Sequence, residues 1–162
     1  MSNNKDIQLE LDQFTDHFKS LMIASLTKDL MPYTSYAPFI KYEQSYYFII
    51  SKIAKHYENL MHHSKASIMF IEDESNASHI FFRKRLSYLI DTTIMEADQN
   101  LKQAFIDAFG HFINQLFSMD FVIVKCNVIE GNIILGPGKA FQIDQNEKII
   151  AQMKTKNGHQ NT

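Results

Sequence analysis

The sequence predicts an α+β fold in which a mainly antiparallel sheet closes into a barrel. Short stretches rich in aromatic and β-branched residues follow one another, separated by glycine, proline and acidic turn signals. Helical periodicity interrupts this series at only about three places, so the regular alternation of strand and helix that builds a parallel sheet is missing. A barrel with appended helices is therefore favoured over a doubly wound sheet.

Three segments carry apolar residues at the spacings of three and four that mark an amphipathic helix. The first covers residues 6–18, and the third and clearest covers residues 97–117. The second is short and follows Ser51, whose hydroxyl is expected to cap its first turn. The apolar stripe of the third helix is expected to belong to the core.

The strands and extended segments between these helices end at turn signals. Pro38 lacks a backbone donor, so it is expected at an edge, a bulge or a strand end. Glu130-Gly131 and Gly136-Pro137-Gly138 are expected to separate the last three strands. The expected extended segments are 21–26, 33–40, 46–51, 67–71, 86–90, 121–128, 132–135 and 139–143.

Composition limits the class of protein. The chain has 162 residues, 45% of them hydrophobic, which predicts one folded domain over residues 1–153 and a polar tail over 154–162. A formal net charge of −2 gives no overall attraction to nucleic acid, and no apolar run is long enough for a membrane span or a signal peptide. Cys126 is the single cysteine, so disulfides and cysteine-based metal sites are excluded, and a buried thiol in a cytoplasmic protein is expected.

Three consecutive cations, Arg83, Lys84 and Arg85, stand out in this nearly neutral chain. On a strand, Arg83 and Arg85 would share one face and grip a phosphate or carboxylate together. The alternative is a solvated sheet edge, where charge discourages pairing between molecules. The acidic run 72–74 is interpreted as a solvated loop rather than as the charge partner of the triplet.

The sequence contains no nucleophile elbow, phosphate-binding glycine loop, zinc-protease motif or dinucleotide fingerprint. Two other residues are candidates for chemistry. Asp120 opens a predicted strand and is either a turn residue or a carboxylate at a strand mouth. His159 lies in the polar tail, where terminal residues are usually disordered, but a neutral imidazole whose second nitrogen bonds a carboxylate is a good iron ligand. The adjacent His62 and His63 are interpreted as surface residues.

Five segments occur in an order and spacing that resemble the HugZ and HutZ type of haem-utilisation protein, a branch of the pyridoxamine 5′-phosphate oxidase-like, FMN-binding split β-barrel superfamily. The resemblance covers almost the whole chain. The segments are Ser-Tyr-Ala-Pro-Phe at 35–39, Ile-Ser-Lys-Ile-Ala-Lys-His at 50–56 with Asn-Leu at 59–60, Ala-Ser-Ile-Met at 66–69 with Ile-Glu-Asp-Glu at 71–74, Arg-Lys-Arg-Leu at 83–86, and Gly-Pro-Gly-Lys-Ala at 136–140.

The resemblance implies a homodimer of split barrels that binds haem near the subunit interface and opens its ring oxidatively, with iron release and an external electron donor. His159 matches the family's axial iron ligand, and Asp120 matches the acidic residue that bonds its imidazole. Arg85 matches the arginine of the family's Arg-Lys-Arg-Leu motif; Arg83 or Arg85 is expected to pair with the haem propionates, and Lys84 is a further cofactor-binding candidate. His56 matches a histidine of the short helix near that arginine, and Ser35 and Tyr36 are further cofactor-binding candidates.

Two other functions stay open at this point. One is an FMN-binding oxidoreductase in which Ser35 and the three cations hold the flavin phosphate. The other is a haem carrier or storage protein without turnover. The chain also departs from the family pattern, because Asp29-Leu30-Met31-Pro32 lacks the glycine of the first hairpin and Pro137 replaces a common aromatic residue. A different turn conformation is expected at Leu30.

Overall fold

Residues 4–154, which the computed structural model describes, form four α-helices and eight β-strands. The helices are α1 (Asn4–Phe14), α2 (Lys55–His62), α3 (Gln99–Phe109) and α4 (Ile113–Ser118). The strands are β1 (Ser20–Leu26), β2 (Pro32–Tyr42), β3 (Ser45–Ser51), β4 (Lys65–Ile71), β5 (Arg85–Met95), β6 (Phe121–Gly136), β7 (Lys139–Ile143) and β8 (Ile149–Gln152).

All strand pairs are antiparallel, in the order β3-β2-β1-β4-β5-β6-β7-β8. An additional β3–β6 pairing joins Tyr46 to Cys126 and Ser51 to Phe121, and this closes six strands into a barrel. Strands β7 and β8 extend the sheet beyond β6. The prediction of an antiparallel barrel in an α+β fold is confirmed.

Two apolar clusters hold the fold together. The first fills the barrel with inward-facing side chains such as Phe48, Phe70 and Leu86, which are almost completely buried. The second lies outside the barrel, where Phe105 and Ile113 of the helices α3 and α4 pack with residues of β2, β3 and β6. The helices therefore cover only one side of the outer barrel surface.

The opposite outer surface carries a row of side chains that crosses the sheet from β2 to β6. Register places Tyr36 opposite Met22, Met22 opposite Met69, Met69 opposite Ser87, and Ser87 opposite Asn132. Tyr36 is 65% exposed and Met22 is 39% exposed, and the other three are half-buried. We call this surface the uncovered face.

Strand β6 differs from the prediction. The segments 121–128 and 132–135 are one strand of 16 residues, so the expected turn at Glu130-Gly131 is wrong. A bulge between the Leu89 and Ile90 pairings bends the ladder there instead. Gly131 is needed for close packing, because a Cβ at this position would collide with the Tyr88 ring and lie 2.6 Å from the Ser87 carbonyl oxygen.

The predicted helix over 97–117 is also wrong as a single element. Gly110, with φ of 93°, separates α3 from α4. Likewise α1 ends at Phe14 rather than at residue 18. Helix α2 begins after Ala54, so Ser51 is not its N-cap.

Turn and strand-end positions complete the comparison with the sequence. Pro38 lies inside β2 rather than at its end: it is the last residue that pairs with β1, and pairing with β3 begins at Phe39, so Pro38 belongs to the part of β2 that has a strand on one side only, which fits the expected edge position. Leu30 has φ of 65°, so the first hairpin holds a left-handed residue although it lacks glycine. Strand β8 was not predicted. Across residues 4–154, no helix has the length and hydropathy needed to cross a bilayer.

Candidate active site

The first cation of the triplet is held by the acidic turn that precedes it. Arg83 lies before β5, directly after a 3₁₀ turn at Ile80–Phe82, so it does not share a strand face with Arg85 as the sequence predicted. Its Nε donates to the Glu72 carbonyl oxygen at 3.1 Å, and its Nη1 lies 3.2 Å from Glu74 Oε1. Arg83 is therefore committed to local structure.

Lys84 is held in the same way. Its ammonium group lies 3.0 Å from Glu10 Oε1 on α1, and its backbone nitrogen donates to Glu72 Oε1 at 2.7 Å. The interpretation of the acidic run 72–74 as a solvated loop is thus wrong, because Glu72 and Glu74 are partners of the basic triplet.

Arg85 differs from its two neighbours. It is the first residue of β5, half-buried, and its side chain lies on the uncovered face with Ser87. Its Nη1 donates to the Arg83 carbonyl oxygen at 3.0 Å. Within residues 4–154, no carboxylate pairs with its guanidinium. Of the three cations, Arg85 is therefore the one available to an anion.

A groove of about 600 Å³ opens on the uncovered face, and Ser87 is its lining residue closest to Arg85 along β5. Ser87 and Asn132 line its floor, and Ser87 is two residues from Arg85 on the same side of β5. This volume lies within the range of organic cofactor sites, about 300–1,000 Å³. Residues of β4, β5 and β6 form one wall and residues of the β7–β8 segment form the other: Ser67, Ser87, Tyr88, Leu89, Ile129, Glu130, Gly131 and Asn132, then Gln142, Ile143, Asp144, Gln145, Ile150 and Met153.

The candidates Ser35, Tyr36 and His56 fall into two places. Tyr36 points outward on the uncovered face, whereas the neighbouring Ser35 belongs to the inward-facing set, opposite Ile23. Ser35 Oγ lies 3.0 Å from His56 Nδ1, and burial lowers the pKa of the half-buried His56 imidazole. The structure brings Ser35 and His56 together, but within one chain it places them on the opposite side of the sheet from Arg85.

Asp120 lies immediately before β6, at the mouth of the β3–β6 pair. Ser51 Oγ donates to Asp120 Oδ2 at 2.6 Å, and the Lys52 backbone nitrogen donates to the Asp120 carbonyl oxygen at 3.0 Å. The Ser51 hydrogen bond holds the pKa of the Asp120 carboxyl below its ordinary value. Two exposed apolar side chains flank it, Ile53 at 91% and Met119 at 67% exposure.

Sequence reasoning missed the partnership of Ser51 with Asp120. The two residues are 69 positions apart, so no local spacing signals their hydrogen bond. His159 lies outside the described residues, and its pairing with Asp120 remains a prediction. In residues 4–154, no three histidine, cysteine or acidic side chains are grouped to hold a metal. Cys126 is buried, as predicted, and burial raises the pKa of its thiol.

Known proteins share this fold and about a third of this sequence. Residues 7–120 match the family model described as pyridoxamine 5′-phosphate oxidase. The haem oxygenase HutZ of Vibrio cholerae is 32% identical over 148 residues, which cover 88% of this chain and 84% of that protein.

Two solved structures give the same result. The Campylobacter jejuni ChuZ crystal structure superposes with a TM-score of 0.86 at 27% identity, over 100% of this chain and 68% of ChuZ. The HutZ structure from Vibrio cholerae, described as a haem storage protein, gives a TM-score of 0.71 at 32% identity, over 79% of this chain and 93% of HutZ. The chain therefore belongs to the pyridoxamine 5′-phosphate oxidase-like split β-barrels, in their HugZ and HutZ branch.

Proposed function

We propose that this protein binds haem in the groove of the uncovered face and degrades it by oxidative ring opening, with release of iron. The observation that carries the proposal is the position of Arg85. It is the one cation of the triplet that no described carboxylate neutralises, and on the same face of β5 it is two residues from Ser87, which lines a groove of about 600 Å³.

The groove suits the chemistry of haem. Leu89, Ile150 and Met153 offer apolar surface to a macrocycle, and the first two are 40% and 61% exposed in the single chain. Arg85 offers a guanidinium to a propionate, and this charge-assisted hydrogen bond also fixes which edge of the ring faces the strand. Two relatives are named for haem: HutZ of Vibrio cholerae, called a haem oxygenase and, for its structure, a haem storage protein, and a haem-binding protein from Mycobacterium smegmatis that shares the fold.

The proposed iron ligand is His159, oriented by Asp120. Since Ser51 holds Asp120 as a carboxylate, Asp120 is ready to accept the N–H of an imidazole, which would strengthen that ring as an iron donor. Haem, when bound, supplies the iron that reacts with O₂ and the ring that is opened, with electrons from an external donor. The residues of this chain bind and orient it.

Chain geometry supports a homodimer for this site. Asp120 and the groove lie near opposite ends of β6, since Asn132 is 12 residues further along the chain, roughly 40 Å of strand length at 3.3 Å per residue. The tail starts beside the groove, because Met153 donates to the Ala140 carbonyl oxygen, and six residues reach at most roughly 20 Å. The proposed contact of His159 with Asp120 is therefore one between two copies of the chain, and the second copy would also exclude water from the uncovered face.

A haemin titration tests the proposal. Wild type is expected to give a Soret band that His159→Ala shifts or removes. Arg85→Gln is expected to weaken haemin affinity about tenfold, as for loss of one charge-assisted hydrogen bond. Arg83→Gln is the matched control, because Arg83 is bound to Glu72 and Glu74, so this change should lower the melting temperature without changing haemin affinity.

Incubation of the complex with O₂ and an electron donor separates degradation from storage. An oxygenase bleaches its Soret band to a bile-pigment spectrum, whereas a storage protein keeps it. A yellow protein with flavin bands and no response to haemin would contradict the proposal and favour FMN, whose phosphate would then be the anion at Arg85.

A further inference from the structure

The β7–β8 segment is anchored from the inside of the barrel by one side chain, Glu147. Its Oε1 accepts hydrogen bonds from the Tyr46 hydroxyl at 2.6 Å and from the Tyr88 hydroxyl at 2.8 Å. Both tyrosines are almost completely buried, at 1% and 0% exposure. Burial, with Glu147 close by, raises the pKa of each phenol, so both remain protonated donors.

The backbone of the same turn is held from a second side. Gln8 of α1 donates from Nε2 to the Glu147 carbonyl oxygen at 3.0 Å and accepts from the Ile149 nitrogen at 2.9 Å. Glu147 itself has φ of 58°, a conformation that glycine or asparagine adopts more readily. This backbone conformation does not favour glutamate, so the residue at position 147 is explained by the hydrogen bonds that its carboxylate accepts from Tyr46 and Tyr88.

The other side of this segment is a wall of the groove. Asp144, Gln145, Ile150 and Met153 line it, and they flank Glu147 in sequence. Three residue pairs join β7 to β8, and their register shifts between Gln142 and Ile143. Such a short ladder at the end of a sheet is weakly held by its own hydrogen bonds.

We infer that Glu147 is a positioning residue for the ligand groove: by fixing the β7–β8 turn to Tyr46 and Tyr88, it sets the wall that carries Ile150 and Met153. Glu147 touches no ligand in this arrangement. The ligand part of this inference rests on the proposed function, whereas the anchoring part stands on the contacts alone.

The variants Glu147→Ala, Glu147→Gln and Glu43→Gln test the inference. Alanine removes the acceptor, and glutamine keeps an acceptor oxygen for the two phenols. Glu43 lines the same surface hollow as Glu147, and within residues 4–154 its side chain makes no hydrogen bond to the turn, so it controls for loss of a negative charge. If Glu147→Ala does not fold, Tyr46→Phe replaces it, because that change removes one donor and leaves the turn sequence intact.

Two readouts are needed, both well below the melting temperature. In the protein without haem, Glu147→Ala should speed amide hydrogen exchange at Ile149 and Met153, whereas Glu147→Gln and Glu43→Gln should not. In a haemin titration, Glu147→Ala should weaken binding about tenfold, as for loss of a charge-assisted hydrogen bond, and Glu147→Gln, which keeps an acceptor without its charge, should weaken it less.

Each result decides a part of the inference. Unchanged exchange in Glu147→Ala would overturn the anchor. Faster exchange with unchanged haemin affinity would overturn the link between the anchor and the groove. If wild type itself does not bind haemin, the proposed function fails together with the ligand part, and the exchange data alone then decide whether Glu147 holds the β7–β8 turn.

Discussion

Replacing Gly131 with alanine tests whether packing or turn formation requires this glycine. An added Cβ would lie 2.6 Å from the Ser87 carbonyl oxygen and collide with the Tyr88 ring. Neither neighbour moves easily, because Ser87 belongs to the β5 ladder and the Tyr88 hydroxyl is held 2.8 Å from Glu147 Oε1.

Gly131→Ala is expected to lower the free energy of unfolding by about 1–3 kcal/mol, the usual cost of overpacking a core. Because neither neighbour moves easily, the loss should be near the upper end of this range. For a chain of this length, each kcal/mol corresponds to about 2–4 °C, so the melting temperature should fall by about 6–12 °C. Urea unfolding, followed by far-UV circular dichroism, gives the free energy of unfolding directly.

Two matched variants make the measurement decisive. Gly138 has φ of +68° and open space where a Cβ would lie, so Gly138→Ala should cost only the backbone strain, about 1 kcal/mol. Gly131→Asn would be tolerated if a left-handed turn were the requirement, but close packing predicts a greater loss than with alanine. A Gly131→Ala protein within about 0.5 kcal/mol of wild type would refute the packing argument.

Three further predictions follow from individual groups. Ser51→Ala should raise the pKa of the Asp120 carboxyl, measured by carboxyl NMR titration, because the Ser51 hydrogen bond is the main cause of its lowering. The ionised Asp120 carboxylate contributes to the free energy of unfolding above its ordinary pKa, and this contribution is lost as the pH falls through its lowered pKa in the folded protein. The free energy of unfolding should therefore decrease less on acidification in Ser51→Ala than in wild type. Cys126 should resist thiol reagents in the native protein and react fully in urea; rapid native labelling would contradict its burial. The pKa of His56, measured by ¹H NMR, should lie below its ordinary value of 6.5 because the imidazole is half-buried. The neutral imidazole therefore contributes to stability above pH 6.5, and this contribution is lost as the pH falls through the lowered pKa. An unchanged pKa of His56 in Ser35→Ala would confirm burial, rather than the contact with Ser35, as the cause.

The barrel and most of its strands were predictable because side-chain alternation is a local signal. The errors arose where distant residues decide. Whether Gly131 ends a strand depends on Tyr88, which lies on another strand, and the missed β8 is exposed along most of its length, so it has little apolar pattern. The break at Gly110 was an exception, since the glycine itself was visible inside the periodic run.

The candidate site was predictable only in part, because contacts between distant residues decide the role of each cation. The sequence identified the basic triplet but assigned one role to all of it. Only the fold shows that Arg83 and Lys84 are neutralised by acidic residues of two other segments, and that Arg85 is not. The hydrogen bond between Ser51 and Asp120 joins the end of β3 to the start of β6. One amino-acid sequence carries no signal that would predict a contact between residues so far apart.

The length of β6 has a consequence for synthesis of the protein. Its first half pairs with β3, and its second half pairs with β7. While the chain emerges from the ribosome, β1 to β5 can associate, but β3 and β5 keep open edges until residues 121–136 have appeared. Closure is therefore a late event that depends on contacts distant in sequence, which slows folding and leaves a partly made barrel prone to aggregation. Substitutions that weaken β6 should lower the yield of folded protein in cells by more than their effect on the stability of the finished molecule.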